Sequence, residues 1–413
     1  MRPPETRRAA FEIGERDLVA VSLAPGPRWM DLVREVWAAG AAVLPIDARL
    51  PGAEADALVR LARPTVAISD LAGEPSVRRL EDGVEAGNGV VLVVHTSGTA
   101  GVPKLAQFER GAIDAAVAAS ALALEATARD RWICCLPPSH VGGMLVLLRG
   151  VLLGAPVAIH PSFDPALLAA ERDAAFVSVV PTMLRRLLDA EVDLASFRAI
   201  LVGGAPLSPD VRARADRAGA HVIETYGLTE SCGGVVYDGL PLPGVQTRVN
   251  ADGGIELAGP SLMLGYRYDD EGTARAFTDD GWLRPGDAGE IDAEGRLHVI
   301  GRIDDLINTG GERVWPEEVE AVLREHPKVG EVGVGGRLDP EWGQRVVAFV
   351  VPSDPADPPT LSELRDLAGD RIGRHKAPRE LVLVEELPRT FSGKLRRAAF
   401  ARPEGGIRSG YPR

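Results

Sequence analysis

VVLVVH at 90–95, RWICCL at 131–136, APVAIH at 155–160, AAFVSVV at 174–180, RAILVGG at 198–204 and AHVIET at 220–225 decide the fold. Each is a short apolar run rich in β-branched residues, and helical patterns fill the gaps between them. Segment 90–224 therefore reads as βαβα, a mostly parallel sheet covered by helices. Ser208 followed by Pro209 opens one of those helices, as the N-cap and first-turn preferences of these residues predict. Sheets of this kind bind ligands at the loops leaving the carboxyl ends of their strands, and the search for chemistry starts there.

Working outward, the rhythm changes after Pro243. VQTRVNADGGIELAG and GEIDAEGRLHVIGR each place a glycine turn between alternating segments, which predicts antiparallel β structure. Beyond Arg302 the pattern is mixed. A helix begins near Pro316, strands lie near VGEVGVGG and QRVVAFVV, and Thr360-x-x-Glu363 is a capping box opening a further helix. The expected architecture is α/β. A large N-terminal domain (1–302) of doubly wound, mostly parallel sheets carries a small β-rich subdomain at about 243–302, and a small α+β domain (303–413) follows. The domain boundary is placed at Gly301 to Asp305.

The 413 residues carry 46 basic and 59 acidic side chains, a net charge of −13. That balance excludes a general nucleic-acid or anionic-membrane binder, which needs a broad positive footprint. The charge is uneven: residues 361–413 hold 12 basic and 7 acidic residues, while the first 360 hold 34 and 52. Three cysteines, Cys134, Cys135 and Cys232, make neither a disulfide framework nor a zinc ligand set and fit a reducing cytoplasm. No signal-peptide core is visible at the N-terminus. The most apolar stretch, 141–159, is interrupted by Arg149, Gly154 and Pro156. It reads as a buried helix followed by a strand and not as a membrane span.

The first strand runs into Thr96-Ser97-Gly98-Thr99-Ala100-Gly101-Val102-Pro103-Lys104. Glycines let backbone N–H groups point into one concavity, hydroxyls add donors and the lysine adds charge, a combination suited to polyphosphate. The spacing is not that of a Walker A loop, because Gly98 and Gly101 are too close and Leu105 follows the lysine. Lysine usage adds a hint. Only four lysines (Lys104, Lys328, Lys376, Lys394) stand against 42 arginines, and two of the four lie in glycine-containing, hydroxyl-rich loops.

TSGTAGVPK, YGLTES at 226–231, the Gly-Asp pair ending at Asp287, GRIDDLINTGGERVWPEEVE at 301–320 and LPRTFSGKLRR at 387–397 occur in the order and spacing of the adenylate-forming superfamily, which this chain resembles. That group contains acyl- and aryl-CoA synthetases, adenylation domains of nonribosomal peptide synthetases and beetle luciferases. WAAGAAVLPIDARLP at 37–51 resembles a further block upstream. LPPSHVGGM at 136–144 and the segment 163–189 look most like o-succinylbenzoate–CoA ligases of menaquinone synthesis and related aryl-CoA ligases. Amino-acid-activating relatives usually carry an aspartate where this chain has Ser139-His140, which disfavours an α-amino acid. The phosphate loop starts early and carries Ala100 where threonine is common, so part of the N-terminal region looks trimmed.

The resemblance implies a role for each motif residue. Thr96, Ser97, Gly98, Thr99, Gly101 and Lys104 would close over the β- and γ-phosphates of ATP. Thr229 would face the phosphates, and Glu230 would hold Mg²⁺. Tyr226, followed by Gly227, would stack on adenine; Gly203, Gly204 and Ala205 would leave room for base and acyl group. Asp287 would accept the ribose hydroxyls, with Arg302 as a further donor, and His140 would line the acyl pocket. Lys394 would bridge carboxylate and α-phosphate, Asp304 would be the hinge about which a mobile C-terminal domain (303–413) turns, and Gly310 and Gly311 would border the coenzyme A tunnel. A cytoplasmic acid–CoA ligase using ATP, Mg²⁺ and coenzyme A is the implied activity, on an aromatic or o-succinylbenzoate-like acid, and relatives of this kind are often homodimers. Other classes remain open: loading a carrier protein or an amine, a medium- or long-chain fatty acyl-CoA synthetase, or a non-catalytic binding protein.

Overall fold

The computed structural model describes residues 13–71, 74–96, 103–389 and 395–400. These fall into two compact units. The first runs to Thr96 and includes Pro103–Gln246 and Ala258–Gly281; the second gathers Thr247–Leu257 with the chain from Trp282 onward. The β-rich stretch is thus shared between them, and most of it clusters with the C-terminal residues.

The first unit contains two seven-stranded sheets. In one, Leu18–Ser22 lies between Ala42–Pro45 and Val66–Leu71, all parallel, and Val90–Thr96 joins the Ala42–Pro45 edge in parallel. Antiparallel strands finish both sides: Lys104–Glu109 and Gly265–Tyr266 beyond Val90–Thr96, and Glu74–Arg79 beyond Val66–Leu71. In the other sheet, Val157–Ile159, Arg131–Cys134, Ala174–Val179, Ala199–Gly203 and Val222–Leu228 are parallel, followed by antiparallel Gly233–Tyr237 and Leu240–Pro241.

Five of the six runs that decide the fold therefore share one sheet, but the first belongs to the other. The βαβα rhythm predicts a single succession, and the structure divides it. The physical reason is that apolar alternation marks a strand without naming its partner. Val90–Thr96 pairs antiparallel with Lys104–Glu109, the strand next in the chain, where the rhythm predicts a parallel neighbour.

The apolar stretch after His140 forms the helix Val141–Leu152, buried from Gly143 to Gly150. At 1.5 Å per residue its 12 residues span about 18 Å, short of the ~30 Å of a bilayer core. No described helix is long and apolar enough to cross a membrane. Arg149, only 2% exposed, lies over the Trp132 ring at 4.3 Å and donates to Ser120 Oγ at 2.8 Å. Burial presses its pKa below the usual arginine value. Ser208 accepts from the Val211 N–H, and Thr360 and Glu363 exchange hydrogen bonds as a capping box, as the sequence predicts.

The second unit holds the hairpin of Asp287–Ile291 with Leu297–Arg302 and a five-stranded sheet ordered Glu312–Val314, Ile307–Thr309, Gly343–Pro352, Val329–Asp339, with Glu380–Leu383 beside Gly343–Pro352. Helices Pro316–Leu323 and Leu361–Ile372 bury Val319, Leu323 and Leu364 against Val334, Val346 and Val350. Arg397 closes this packing from the C-terminal end. Its guanidinium bonds Glu317 at 2.9 Å, Glu320, the Val334 carbonyl at 2.8 Å and, through Nε, Asp305 at 3.3 Å. Burial alone would weaken its hold on the proton, but the carboxylates of Glu320, Glu317 and Asp305 raise its pKa above the ordinary arginine value.

Candidate active site

The strand Val222–Leu228 carries Tyr226 and Gly227 to its carboxyl end and turns at once into the short 3₁₀ segment Thr229–Ser231. Ser231 fixes that turn. It is fully buried, accepts from the Leu228 N–H at 3.0 Å and donates to the carbonyls of Leu228 and Gly233 at 3.1 and 2.8 Å. Thr229 and Glu230 are thereby held half-exposed on a rigid corner. The Glu230 carbonyl is fastened by the Met263 N–H at 2.8 Å. Gly227 is required by the neighbouring strand: a Cβ there would lie 2.0 Å from the Gly233 carbonyl oxygen.

Lys104 opens the strand Lys104–Glu109. Its ammonium sits 4.4 Å from the centroid of the Tyr266 ring and 3.9 Å from Asp269. The Tyr266 hydroxyl donates to Glu230 Oε1 at 2.7 Å. Tyr266 was not legible as a site residue. It lies in MLGYRYDDEGT, where its N–H donates to Thr273 Oγ1 at 2.8 Å and Asp269 caps the helix Asp270–Ala276 through the Gly272 N–H. Gly265–Tyr266 pairs with Gln107 and Ala106, so the tyrosine is placed by the same strand that begins with Lys104.

Gly203 and Gly204 end the central strand of the second sheet. A Cβ at Gly203 would lie 2.3 Å from Thr225 Oγ1, so that position is filled by the neighbouring strand and strand packing alone demands glycine. Gly204, at φ +82°, is exposed, as is Ala205, and Val180 at 3.7 Å is the nearest atom to a Cβ there.

His140 precedes the buried helix Val141–Leu152, and its ring lies 5.9 Å from that of His95 at the end of Val90–Thr96. Both rings are pushed toward neutrality. For His95, burial first and then His140 lower the pKa to about 4, against a weaker pull from Asp47. For His140, burial lowers it, Asp47 opposes and Arg49 assists. Among the described residues, none is a hydrogen-bond partner for the buried His95 Nδ1. Asp47 and Arg49, from the upstream block, are locked together: Arg49 Nε and Nη2 donate to the Asp47 carboxylate at 2.9 and 2.8 Å. Asp47 and Arg49 belong to the block at 37–51 and His95 ends the run at 90–95, but no spacing rule links positions this far apart in the chain. A separate surface cavity of about 660 Å³, lined by Asp164, Leu168, Glu171, Val192 and Phe197 among others, contains none of the expected site residues.

The remaining expected residues lie in the second unit. Asp287 and Arg302 face each other across the hairpin and bond at 3.0 Å, with Arg302 also donating to the Pro285 carbonyl at 2.8 Å. Asp304 is exposed in the turn Ile303–Asp305. Gly310 and Gly311, at φ +61° and +87°, form the two-residue turn between Ile307–Thr309 and Glu312–Val314, the positive-φ pair that such a hairpin favours. A Cβ at Gly310 would lie 2.6 Å from the Trp342 ring, while Gly311 has nothing within 4 Å. Ser97, Gly98, Thr99, Gly101 and Lys394 lie outside the described residues.

No group of three or more His, Cys, Asp or Glu able to hold a metal occurs among the described residues. One carboxylate, Glu230, together with the hydroxyl of its chain neighbour Thr229, is a set of donor types that suits Mg²⁺, which keeps most of its water and leans on substrate phosphates.

Residues 80–267 match the family model described as AMP-binding enzyme, and residues 318–394 match that of the AMP-binding enzyme C-terminal domain. A probable 2-succinylbenzoate–CoA ligase of Mycobacterium tuberculosis is 39% identical over 346 residues, covering 79% of this chain and 88% of that protein. The 2-succinylbenzoate–CoA ligase of Bacillus velezensis is 36% identical over 330 residues, covering 74% of this chain and 67% of that one. Among solved structures, the o-succinylbenzoate CoA synthetase of Bacillus subtilis in complex with its acyl-adenylate intermediate superposes with a TM-score of 0.86 at 28% identity, covering 96% of this chain and 90% of that one. ATP-bound MatB from Rhodopseudomonas palustris reaches 0.84 at 25%, covering 94% and 88%.

Proposed function

The chain belongs to the AMP-binding enzyme family of acid–CoA ligases, and we propose that its acid is an aromatic carboxylic acid bearing a second polar group, of the 2-succinylbenzoate kind, placing it in menaquinone synthesis. One observation carries the choice over a fatty acid. His140, which would line the acyl pocket, has the His95 ring 5.9 Å away and the Arg49–Asp47 pair as electrostatic neighbours, a polar surrounding that a long alkyl chain would bury without hydrogen bonds. The likeness to the succinylbenzoate ligases supports the same choice.

The family's reaction has two steps. A carboxylate oxygen of the acid attacks the α-phosphorus of ATP while the bond to pyrophosphate breaks, giving acyl-AMP. The thiol sulfur of coenzyme A then attacks the acyl carbon, loses its proton and expels AMP. The difficulty in the first step is that two anions must meet, and positive charge fixed between them lowers that barrier. Lys104 supplies it on the phosphate side, and Lys394 would supply it between carboxylate and α-phosphate. Mg²⁺, held by Glu230 with Thr229 beside it, would neutralise phosphate charge. Tyr226 would stack on adenine, with Gly204 and Ala205 leaving the strand end open. Asp287, steadied by Arg302, would accept the ribose hydroxyls, a task for its carboxylate because each hydroxyl needs an acceptor. Asp304 would be the hinge residue between the half-reactions, and Gly310 and Gly311 would border the pantetheine path. We also propose a cytoplasmic homodimer; free, buried Cys134, Cys135 and Cys232 suit a reducing compartment.

The test is acid-dependent ATP–pyrophosphate exchange and thioester formation with 2-succinylbenzoate, benzoate and a fatty acid, with coenzyme A, a carrier protein or an amine as acceptor. Exchange and coenzyme A thioester with 2-succinylbenzoate are expected. Exchange confined to the fatty acid would overturn the substrate assignment, and product on another acceptor alone would overturn the assignment of coenzyme A.

A further inference from the structure

Tyr266 touches two groups of opposite charge. Its hydroxyl donates to Glu230 Oε1 at 2.7 Å, and its ring face lies 4.4 Å below the Lys104 ammonium. The ring is buried, at 8% exposure, and is fixed through the strand pairing with Ala106 and the bond to Thr273. A lysine and a glutamate this close to one residue would ordinarily turn toward each other, and a paired site would be self-neutralised. Here the ammonium is shared between the ring and Asp269 at 3.9 Å, while one oxygen of Glu230 is engaged by a neutral phenol. A cation above a ring face and a carboxylate at the hydroxyl edge are both favourable to tyrosine.

We propose that Tyr266 is the positioning residue of the nucleotide site, holding Lys104 and Glu230 near one another yet unpaired, so that the ammonium stays available to phosphate and the second carboxylate oxygen to a divalent cation. This rests on the assignment of Lys104 and Glu230 to ATP and Mg²⁺ made above. The two halves of the residue have separate tasks. The hydroxyl orients the carboxylate, and the ring seats the ammonium and keeps it from the carboxylate.

The separation makes the proposal testable in the full-length chain with Tyr266→Phe and Tyr266→Leu. ATP binding is measured by calorimetry in EDTA and in saturating Mg²⁺, and the Mg²⁺ concentration giving half-maximal pyrophosphate exchange is measured alongside. Tyr266→Phe keeps the ring, so metal-free ATP affinity stays within about two-fold of the parent while the half-activating Mg²⁺ concentration rises about ten-fold, the usual scale for losing a hydrogen bond to a charged group. Tyr266→Leu also weakens metal-free ATP, by about ten-fold, since Lys104 can then pair with Glu230. The phenylalanine variant decides the matter even if the leucine variant fails to fold. Equal loss in both arms for Tyr266→Phe, or no change in its Mg²⁺ requirement, overturns the proposal. Glu230→Gln run in parallel separates the failures. If it raises the Mg²⁺ requirement while Tyr266→Phe does not, the tyrosine proposal falls alone; if Glu230→Gln has no effect, the metal assignment and the proposal fall together.

Discussion

The charged cluster around Tyr266 in the first unit and the one around Arg397 in the second each set one cation among carboxylates and solve opposite problems. Arg397 is 13% exposed at its side chain and satisfied by Glu317, Glu320 and Asp305. Lys104 is 40% exposed, has among the described residues one distant carboxylate at 3.9 Å and rests on an aromatic face. A saturated cluster holds the chain together, whereas one kept short of its partners is available to a ligand. Ion pairs alone do not distinguish the two; the number of partners left over does.

Breaking the saturated cluster should give the largest effect. Arg397→Met leaves the partly buried Glu317 without its cation and the buried Glu320 with Arg324 alone, and should cost about 3 kcal/mol, seen in chemical denaturation of the full chain as early loss of the second unit. Unchanged denaturation would remove the contrast. In the available cluster the sign of the outcome reverses. Lys104→Ala should lower pyrophosphate exchange on the order of 100-fold while leaving the melting temperature within about 2 °C, because a half-exposed lysine contributes little to stability. A large melting shift would make that cluster structural as well.

The histidines sharpen the comparison by adding groups whose charge is suppressed. His95 has a folded pKa of about 4 against an ordinary 6.5, so its share of stability is complete above about pH 6.5. It is lost as the pH falls from there toward 4, when the unfolded chain takes up a proton that the folded chain refuses. The loss should approach about 3 kcal/mol at pH 4, and His95→Gln should flatten the curve in that window; an unchanged slope would contradict the burial of a neutral ring. The smallest effect is expected at the glycine turn. Gly311→Ala faces open space and carries only the left-handed backbone penalty of about 1 kcal/mol. Gly310→Ala adds a clash with Trp342 and should be clearly worse in thermal melts.

Much of the fold is legible in the sequence because its elements have local causes. Ser208 and Thr360 cap helices where their side chains demand it, and five of the strand runs fall into one sheet. The assignment of Val90–Thr96 to the other sheet is not legible, since partner choice depends on Ala42–Pro45 and Lys104–Glu109, and alternation is silent on partners. The same limit governs the site. Glu230 and Lys104 stand out because their motifs are contiguous, while Tyr266 and His95 meet neighbours distant in the chain, and neither the stretch around Tyr266 nor the apolar run that ends at His95 says which neighbours those are. Gly203 and Gly310 show the converse: residues singled out for ligand space turn out to be required by Thr225 and Trp342 as well.

The central claim is that this chain activates an acid as its adenylate and passes it to coenzyme A. Its most direct test is isotope exchange between pyrophosphate and ATP by the purified protein, with 2-succinylbenzoate added and then with coenzyme A in excess. The account predicts exchange that depends on the acid and on Mg²⁺, followed by AMP and thioester in equal amounts once coenzyme A is present. ATP turnover that yields ADP, or no exchange with any carboxylic acid, would contradict it.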